Sequence, residues 1–213
     1  MAKHDISLPV IRRLPRYYRF LHDLLQEGLP YISSQHLSER MGLTASQIRQ
    51  DLNCFGGFGQ QGYGYPVEQL YREIGRILGV DQEVGTVLIG VGNIGRAVVN
   101  QMNFSKLGLR LIAAFDVSPD LIGKTVCGVT ILPQQQLDEF CAQHRPGAAL
   151  LCVPDHVAPS LAKRLTDAGV YGFWNFTHYD VAHDFPGVAV ENVHLEDSLM
   201  TLSYRMKHRD AAK

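Results

Sequence analysis

The stretch VLIGVGNIGRAVVN, residues 87–100, limits the folds open to this chain more than any other. An apolar run ends in three glycines spaced G-x-G-x-x-G (Gly90, Gly92, Gly95), and an amphipathic pattern at helical spacing follows with Ile94, Val98 and Met102. A strand that turns through glycines directly into a helix opens a β-α-β unit, whose next strand lies parallel to the first. The three glycines have separate duties: Gly90 permits the tight turn, Gly92 lets a pyrophosphate approach the backbone, and Gly95 lets helix and strand close up. The phosphates then sit on N–H groups at the helix N-terminus, around Val91, Asn93 and Ile94.

The rest of the chain after residue 82 repeats that unit. TVLIGV, LRLIAAFDV, AALLCV and GVYGFWNF are short β-branched or apolar runs separated by the distance a crossover helix needs, which predicts a parallel sheet with right-handed crossovers. Asp116 ends the second run 21 residues after Gly95, where a carboxylate accepts hydrogen bonds from ribose hydroxyls. The following residues, Val117 to Asp120, offer no Arg or Lys for a 2′-phosphate, so NAD(H) is expected over NADP(H). Ligands of open parallel sheets lie beyond the carboxyl ends of the strands, which adds Val117, Val153, Pro154, Asn175 and Phe176 to the expected cofactor site. An aromatic and an amide at the last two positions suit a nicotinamide ring, although Phe176 equally suits a core.

Before residue 80 the periodicity is helical. Tyr17, Leu21, Leu24 and Leu25 form an apolar face after Pro15, ending at Gly28-Leu29-Pro30. SSQHLSERMGLTASQIRQDL, residues 33–52, has helix-turn-helix spacing: Ser34 caps a first helix burying Leu37 and Met41, Gly42 turns, and Thr44 caps a second helix burying Ile48 and Leu52. The outward face then carries Ser46, Gln47, Arg49, Gln50 and Asn53, residues able to bond base edges and phosphates. The same pattern fits a three-helix packing unit with a solvated polar face. FGGFGQQGYGY, residues 55–65, tips the balance, because a glycine-rich hairpin directly after a recognition helix is a wing, here with Phe58, Gly59, Gln60, Gln61 and Tyr63 facing DNA. YREIGRILGVDQ, a helix stopped by Gly79, leads straight into the first strand of the second domain. The expected architecture is thus an α/β chain with a winged helix-turn-helix domain over 1–80, a Rossmann-type parallel-sheet domain over 81–192 and a C-terminal helix over 193–213.

Composition excludes several classes. No run of 18 apolar residues is available to cross a membrane and the N-terminus has no export signal, so a cytoplasmic protein without membrane contact is expected. Cys54, Cys127, Cys141 and Cys152 form no C-x-x-C pair and His178 with His183 lacks an H-E-x-x-H frame, so no metal site is predicted; the cysteines read as buried small hydrophobes or incidental thiols. Net charge divides weakly, 9 Lys+Arg against 7 Asp+Glu over the first 80 residues and 11 against 14 over the remainder, which permits but does not argue for a DNA-binding front half. A dehydrogenase needs a substrate site and a proton-moving group. The chain has no room for a second substrate domain, no Tyr-x-x-x-Lys pair, and only His178 as a nearby acid or base. No catalytic residue is therefore expected. The competing readings are a small NAD-dependent oxidoreductase with a helical accessory domain and, less favoured because of Asp116, a CoA- or other nucleotide-binding module.

PRYYRFL, RQDLNCFGGFGQQGYGY, GVGNIGRA, FDVSP and NF, in this order, resemble the Rex family of redox-sensing transcriptional repressors over essentially the whole chain. The resemblance implies a homodimer with swapped C-terminal helices, no further protein partner, binding of double-stranded inverted-repeat operator DNA in the NAD⁺ or apo state, and release by NADH. Leu195, Leu199, Leu202 and Met206 make an apolar stripe suited to such a helix. Family members commonly have cations where this chain has Gln50, Gln60 and Gln61, so a shallower salt dependence of operator binding is expected. The family's switch resembles a network of an arginine, a tyrosine and an aspartate. Arg16 matches the first, but the tyrosine region reads Gln101-Met102 and the aspartate position reads His194. The expectation is that Glu196 or Asp197 takes Arg16 instead. Thr177-His178 stands where the family usually has Ala-Pro.

Overall fold

The computed structural model describes residues 6–56 and 64–209. The chain divides into two compact units, residues 1–81 and 82–213.

The first unit runs α1 (Leu8–Gln26), β1 (Tyr31–Ile32), α2 (Ser34–Met41), α3 (Ala45–Asn53), β2 (Tyr65–Pro66) and α4 (Val67–Leu78). Helix α1 starts at Leu8, well before the pattern that opens at Tyr17, and runs through Pro15. Proline removes one helical hydrogen bond, but Pro15 and Ile11 lie on the exposed side, where water reaches the Ile11 carbonyl left without its donor. The opposite face buries Val10, Leu14, Tyr17, Leu21 and Leu24, at about 1.5–3 kcal/mol for each large apolar side chain, which outweighs the missing bond. Leu14, Tyr17, Leu21 and Leu24 share one core with Leu37, Met41, Ile48, Leu52, Leu70 and Ile74. Ser33, not Ser34, caps α2 by accepting the His36 N–H at 3.1 Å. Gly42 turns the chain at φ 61°, and Thr44 Oγ1 accepts the Gln47 N–H at 3.1 Å to start α3. Strands β1 and β2 pair antiparallel, Tyr31 with Pro66 and Ile32 with Tyr65. The expected wing residues Phe58, Gly59, Gln60, Gln61 and Tyr63 lie outside the described residues.

The second unit runs β3 (Val84–Ile89), α5 (Asn93–Gln101), β4 (Leu109–Asp116), β5 (Thr125–Val126), β6 (Val129–Pro133), α6 (Leu137–His144), β7 (Ala148–Leu151), α7 (Ala158–Asp167), β8 (Gly172–Asn175), α8 (Val181–Asp184), β9 (Ala189–Asn192) and α9 (Leu195–Lys207). Seven strands form one sheet in the order β5-β6-β4-β3-β7-β8-β9, all parallel except the β5–β6 hairpin. The four runs legible in the sequence are β3, β4, β7 and β8, the centre of this sheet. Successive residues of β3 serve opposite faces: Val87 and Ile89 join Leu137, Leu161 and Leu165 in one core, and Leu88 joins Val91 and Val99 in another. The strand order reverses between β3 and β7, whose carboxyl ends flank the crevice where such sheets hold ligands. No described helix is long and apolar enough to cross a membrane.

The cysteines divide between the two expected readings, buried small hydrophobes and incidental thiols. Cys141 is buried and Cys152 half-buried, whereas Cys54 and Cys127 are exposed. Cys127 sits at φ 45° in the tight β5–β6 turn, which points its side chain outward to the end of α5, where Sγ donates to the Val99 carbonyl at 2.7 Å.

Candidate functional site

The crevice at the β3–β7 reversal is built on the glycine turn. Gly90 has φ 91°, and a Cβ there would meet the Cys152 carbonyl oxygen at 2.3 Å, so both conformation and space require glycine. A Cβ on Gly95 would stand 2.1 Å from the Gly90 carbonyl oxygen, which fixes how closely α5 rides over the turn. At Gly92, by contrast, a Cβ would meet nothing within 4 Å. Gly92 is the N-cap of α5 and no side chain caps that helix, so the first N–H groups point out of its end without a side-chain acceptor. Bare backbone, open space and the positive end of a helix dipole together make an anion seat.

Asp116 closes the turn from β4. Its Oδ2 accepts the Val91 N–H at 2.7 Å and its Oδ1 accepts the Ser118 N–H at 2.8 Å. Each carboxylate oxygen has a second lone pair, so hydroxyl donors of a ligand still have acceptors. Val91 itself is buried and contributes its backbone alone, while Asn93 and Ile94 are exposed at the helix start.

A cavity of about 330 Å³ opens beside this turn. Of the residues expected from the sequence, Gly90, Gly92, Asp116, Val117, Val153 and Pro154 line it. Gln134, Cys152, His156 and Val157 also line it and were missed, although the loop after β7 obeys the same carboxyl-end rule that identified Val153 and Pro154. Burial pushes the Cys152 thiol up to about 12, so it acts as an apolar wall. None of these lining residues is Arg or Lys.

Asn175 and Phe176 end β8, the next strand over. The Asn175 amide is wholly committed: Nδ2 donates to the Tyr179 carbonyl at 2.9 Å and to Asn192 Oδ1 at 2.8 Å, and Oδ1 accepts from Thr177 N and Oγ1 at 3.1 and 2.7 Å. Through these bonds it shapes the loop after β8. Phe176 is half-buried and meets Trp174 edge-on at 4.8 Å. A larger void of about 480 Å³ lies at the far end of α5, lined among others by Gln101, Met102, Arg110 and Cys127. It is remote from the strands' carboxyl ends, so its size carries no claim on the cofactor.

In the first unit, Ser46, Arg49, Gln50 and Asn53 project from α3 as exposed residues, and Thr44 serves as its cap. Arg49 Nη1 donates to Ser34 Oγ at 3.0 Å. Gln47 departs from the outward reading: its Nε2 donates to Asp51 Oδ1 at 2.8 Å. Asp51 is fully buried, a residue the sequence reading missed. It receives both arms of Arg13 at 2.7 Å and the Tyr17 hydroxyl at 2.9 Å, tying the recognition helix to α1. Burial opposes its charge, but the bonds from Arg13, Gln47 and Tyr17 outweigh it and hold the carboxyl below the ordinary range.

The residues expected to form the switch are engaged within their own units. Arg16 donates to the Met41 carbonyl. Glu196 Oε1 lies 2.5 Å from His178 Nε2, and Asp197 faces His194 at 3.6 Å. Along α9 no residue is buried; Leu195, Leu199, Met200, Leu202, Tyr204 and Met206 are all more than half exposed.

A helix-turn-helix unit and a Rossmann unit with an anion-binding glycine turn, in one chain, define a DNA-binding regulator with a nucleotide-binding domain. The model "Putative DNA-binding protein N-terminus" matches residues 5–53 and the model "CoA binding domain" matches residues 81–179. The redox-sensing transcriptional repressor Rex of Caldanaerobacter subterraneus subsp. tengcongensis is 48% identical over 99% of this chain and 94% of its own length, and that of Clostridioides difficile is 48% identical over 97% and 98%. The chain belongs to the Rex family of redox-sensing transcriptional repressors. Among solved structures, RSP in complex with beta-NAD⁺ and operator DNA superposes with a TM-score of 0.89 at 47% identity, covering 97% of this chain and 94% of that one. RSP in complex with beta-NADH gives 0.88 at 43% identity, covering 97% of each.

Proposed function

We propose that this chain is a repressor that reads the NADH/NAD⁺ ratio, holding inverted-repeat operator DNA in the NAD⁺ or apo state and releasing it when NADH binds. The observation that carries the reading is the glycine turn closed by Asp116 in the same chain as an α3 whose exposed face is polar. In this account residues 1–80 bind DNA, with Ser46, Arg49, Gln50 and Asn53 toward the groove, Gln47 braced on Asp51, and Phe58, Gly59, Gln60, Gln61 and Tyr63 as the wing. Residues 81–192 hold the cofactor: the N–H groups around Gly92, Asn93 and Ile94 seat the pyrophosphate, Asp116 takes the ribose hydroxyls, and Val117, Val153 and Pro154 wall the cavity. A cavity without Arg or Lys and with a carboxylate at the ribose favours NAD(H) over NADP(H).

The cofactor acts as a signal and is not consumed. Of the residues lining the cavity, His156 alone carries an imidazole. The C-terminal residues, 193–213, serve the dimer. An α9 whose apolar stripe is more than half exposed gains further burial only from another surface, and a second copy of the chain with its helix swapped supplies one.

Gel shifts on an inverted-repeat operator with NADH, NAD⁺ or neither, run beside an assay of hydride turnover, test the reading. Release by NADH without turnover supports it; turnover of a substrate, or retention of DNA at saturating NADH, rejects it.

A further inference from the structure

Three segments of the second domain meet at one imidazole. His178 lies in the loop after β8; its backbone N–H donates to Asp155 Oδ1 at 2.9 Å and its Nδ1 lies 3.2 Å from Asp155 Oδ2. On the other side, Nε2 lies 2.5 Å from Oε1 of Glu196 in the first turn of α9. The ring stacks on His194, the residue that starts α9, with centroids 5.2 Å apart and planes 14° apart. Asp155 sits between Pro154 and His156, both of which line the cavity beside the glycine turn. One side chain thus ties the loop that walls the cavity, the end of β8 and the base of α9.

We propose that Asp155, His178 and Glu196 form the link by which this chain carries the state of its cofactor crevice to the base of α9, with His178 as the positioning residue. The inference rests on the proposed function. It rests on contacts within the second unit alone, those of His178 with Asp155, Glu196 and His194. All three side chains are more than half exposed, and an exposed pair of this kind is weak enough to break and remake as the loop moves.

An imidazole that donates through both nitrogens is a cation. Glu196 first and Asp155 second hold His178 above its ordinary value. The backbone N–H of His178 and then its ring lower Asp155; the backbone N–H of Glu196 itself and then His178 lower Glu196. The other charged or titratable groups facing the cluster are His156 in the β7–α7 loop, and His194 with Asp197 at α9. Because the folded value of His178 is raised, the link is fully made below the ordinary histidine value of 6.5 and is lost as pH rises through the raised value.

The test uses the full-length protein with the operator duplex of the RSP complex as probe. Fluorescence anisotropy gives operator affinity with and without NADH over a pH series, for the parent chain, Glu196→Gln and His178→Gln, and calorimetry gives NADH affinity separately. Each variant should bind NADH, and operator without NADH, within about twofold of the parent. The factor by which NADH weakens operator binding should fall by about fivefold or more and lose its decline at alkaline pH. Variants that respond like the parent at every pH overturn the link and leave the repressor reading standing. Variants that lose NADH binding itself also overturn it, since they place His178 in the pocket. A parent chain without any NADH response overturns both.

Discussion

The Asp116 carboxylate and the Val91 N–H are joined at 2.7 Å across the mouth of the glycine turn, so the residue assigned to the ribose also fixes the loop assigned to the phosphates. Removing the carboxylate costs the ligand's bonds and loosens the loop together. Hydrogen bonds to a charged group contribute about 1.5–3 kcal/mol, so Asp116→Ala should weaken NADH binding by about tenfold to a hundredfold. Calorimetry checks this, and operator binding without NADH should stay unchanged.

Gly92 and Gly95 separate ligand space from packing space. With nothing within 4 Å of its would-be Cβ, Gly92→Ala should alter stability by less than about 0.5 kcal/mol while placing a methyl group where the pyrophosphate approaches. Gly95→Ala drives a methyl to 2.1 Å from a backbone oxygen and must displace α5. Thermal melts with and without NADH distinguish them: Gly92→Ala should keep its melting temperature and lose the NADH-induced rise, and Gly95→Ala should lose both.

Legibility in the sequence followed the strength of the local rule. Gly90, Gly95 and Asp116 could be placed because steric demand and strand-end position leave few alternatives. Strands β5, β6 and β9 were missed because they bury at most one residue each; β9, AVEN, has no buried residue to impose alternation. Pro15 misled because helix breaking is a local rule, and the buried face of α1 on both sides of it overrides that rule. Asp51 was missed because an acidic residue next to a buried leucine reads as solvent-facing until its partners, Arg13 and Tyr17 on a distant helix, are known. The pairing of Glu196 with His178 had no signal, since it joins residues 18 apart across α8 and β9.

The buried Asp51 should dominate the stability of the first unit. Removing one partner of a buried ion pair leaves the other uncompensated, so Asp51→Ala should destabilise that unit by about 3–5 kcal/mol, read from urea melts of the full chain. Since its folded value is depressed below 3.8, its contribution is complete above that pH and is lost as pH falls through the depressed value. Asp51→Asn should therefore flatten the loss of stability of this unit below about pH 4.

The exposed stripe of α9 predicts a dimer that can be broken without unfolding the chain. Leu199→Asp with Leu202→Asp should yield monomers by analytical ultracentrifugation, leave the Rossmann unit's melt intact because no α9 residue is buried in its own chain, and abolish binding to an inverted repeat.

The central claim is a coupling between the cofactor crevice and the DNA-binding helices, and coupling free energies are reciprocal. The direct measurement is NADH affinity by calorimetry in the absence and presence of saturating operator, set against operator affinity in the absence and presence of saturating NADH. The account predicts the same factor from both halves of the cycle, about fivefold to 150-fold, with NAD⁺ giving none of that weakening. NADH and operator binding that ignore each other would contradict it.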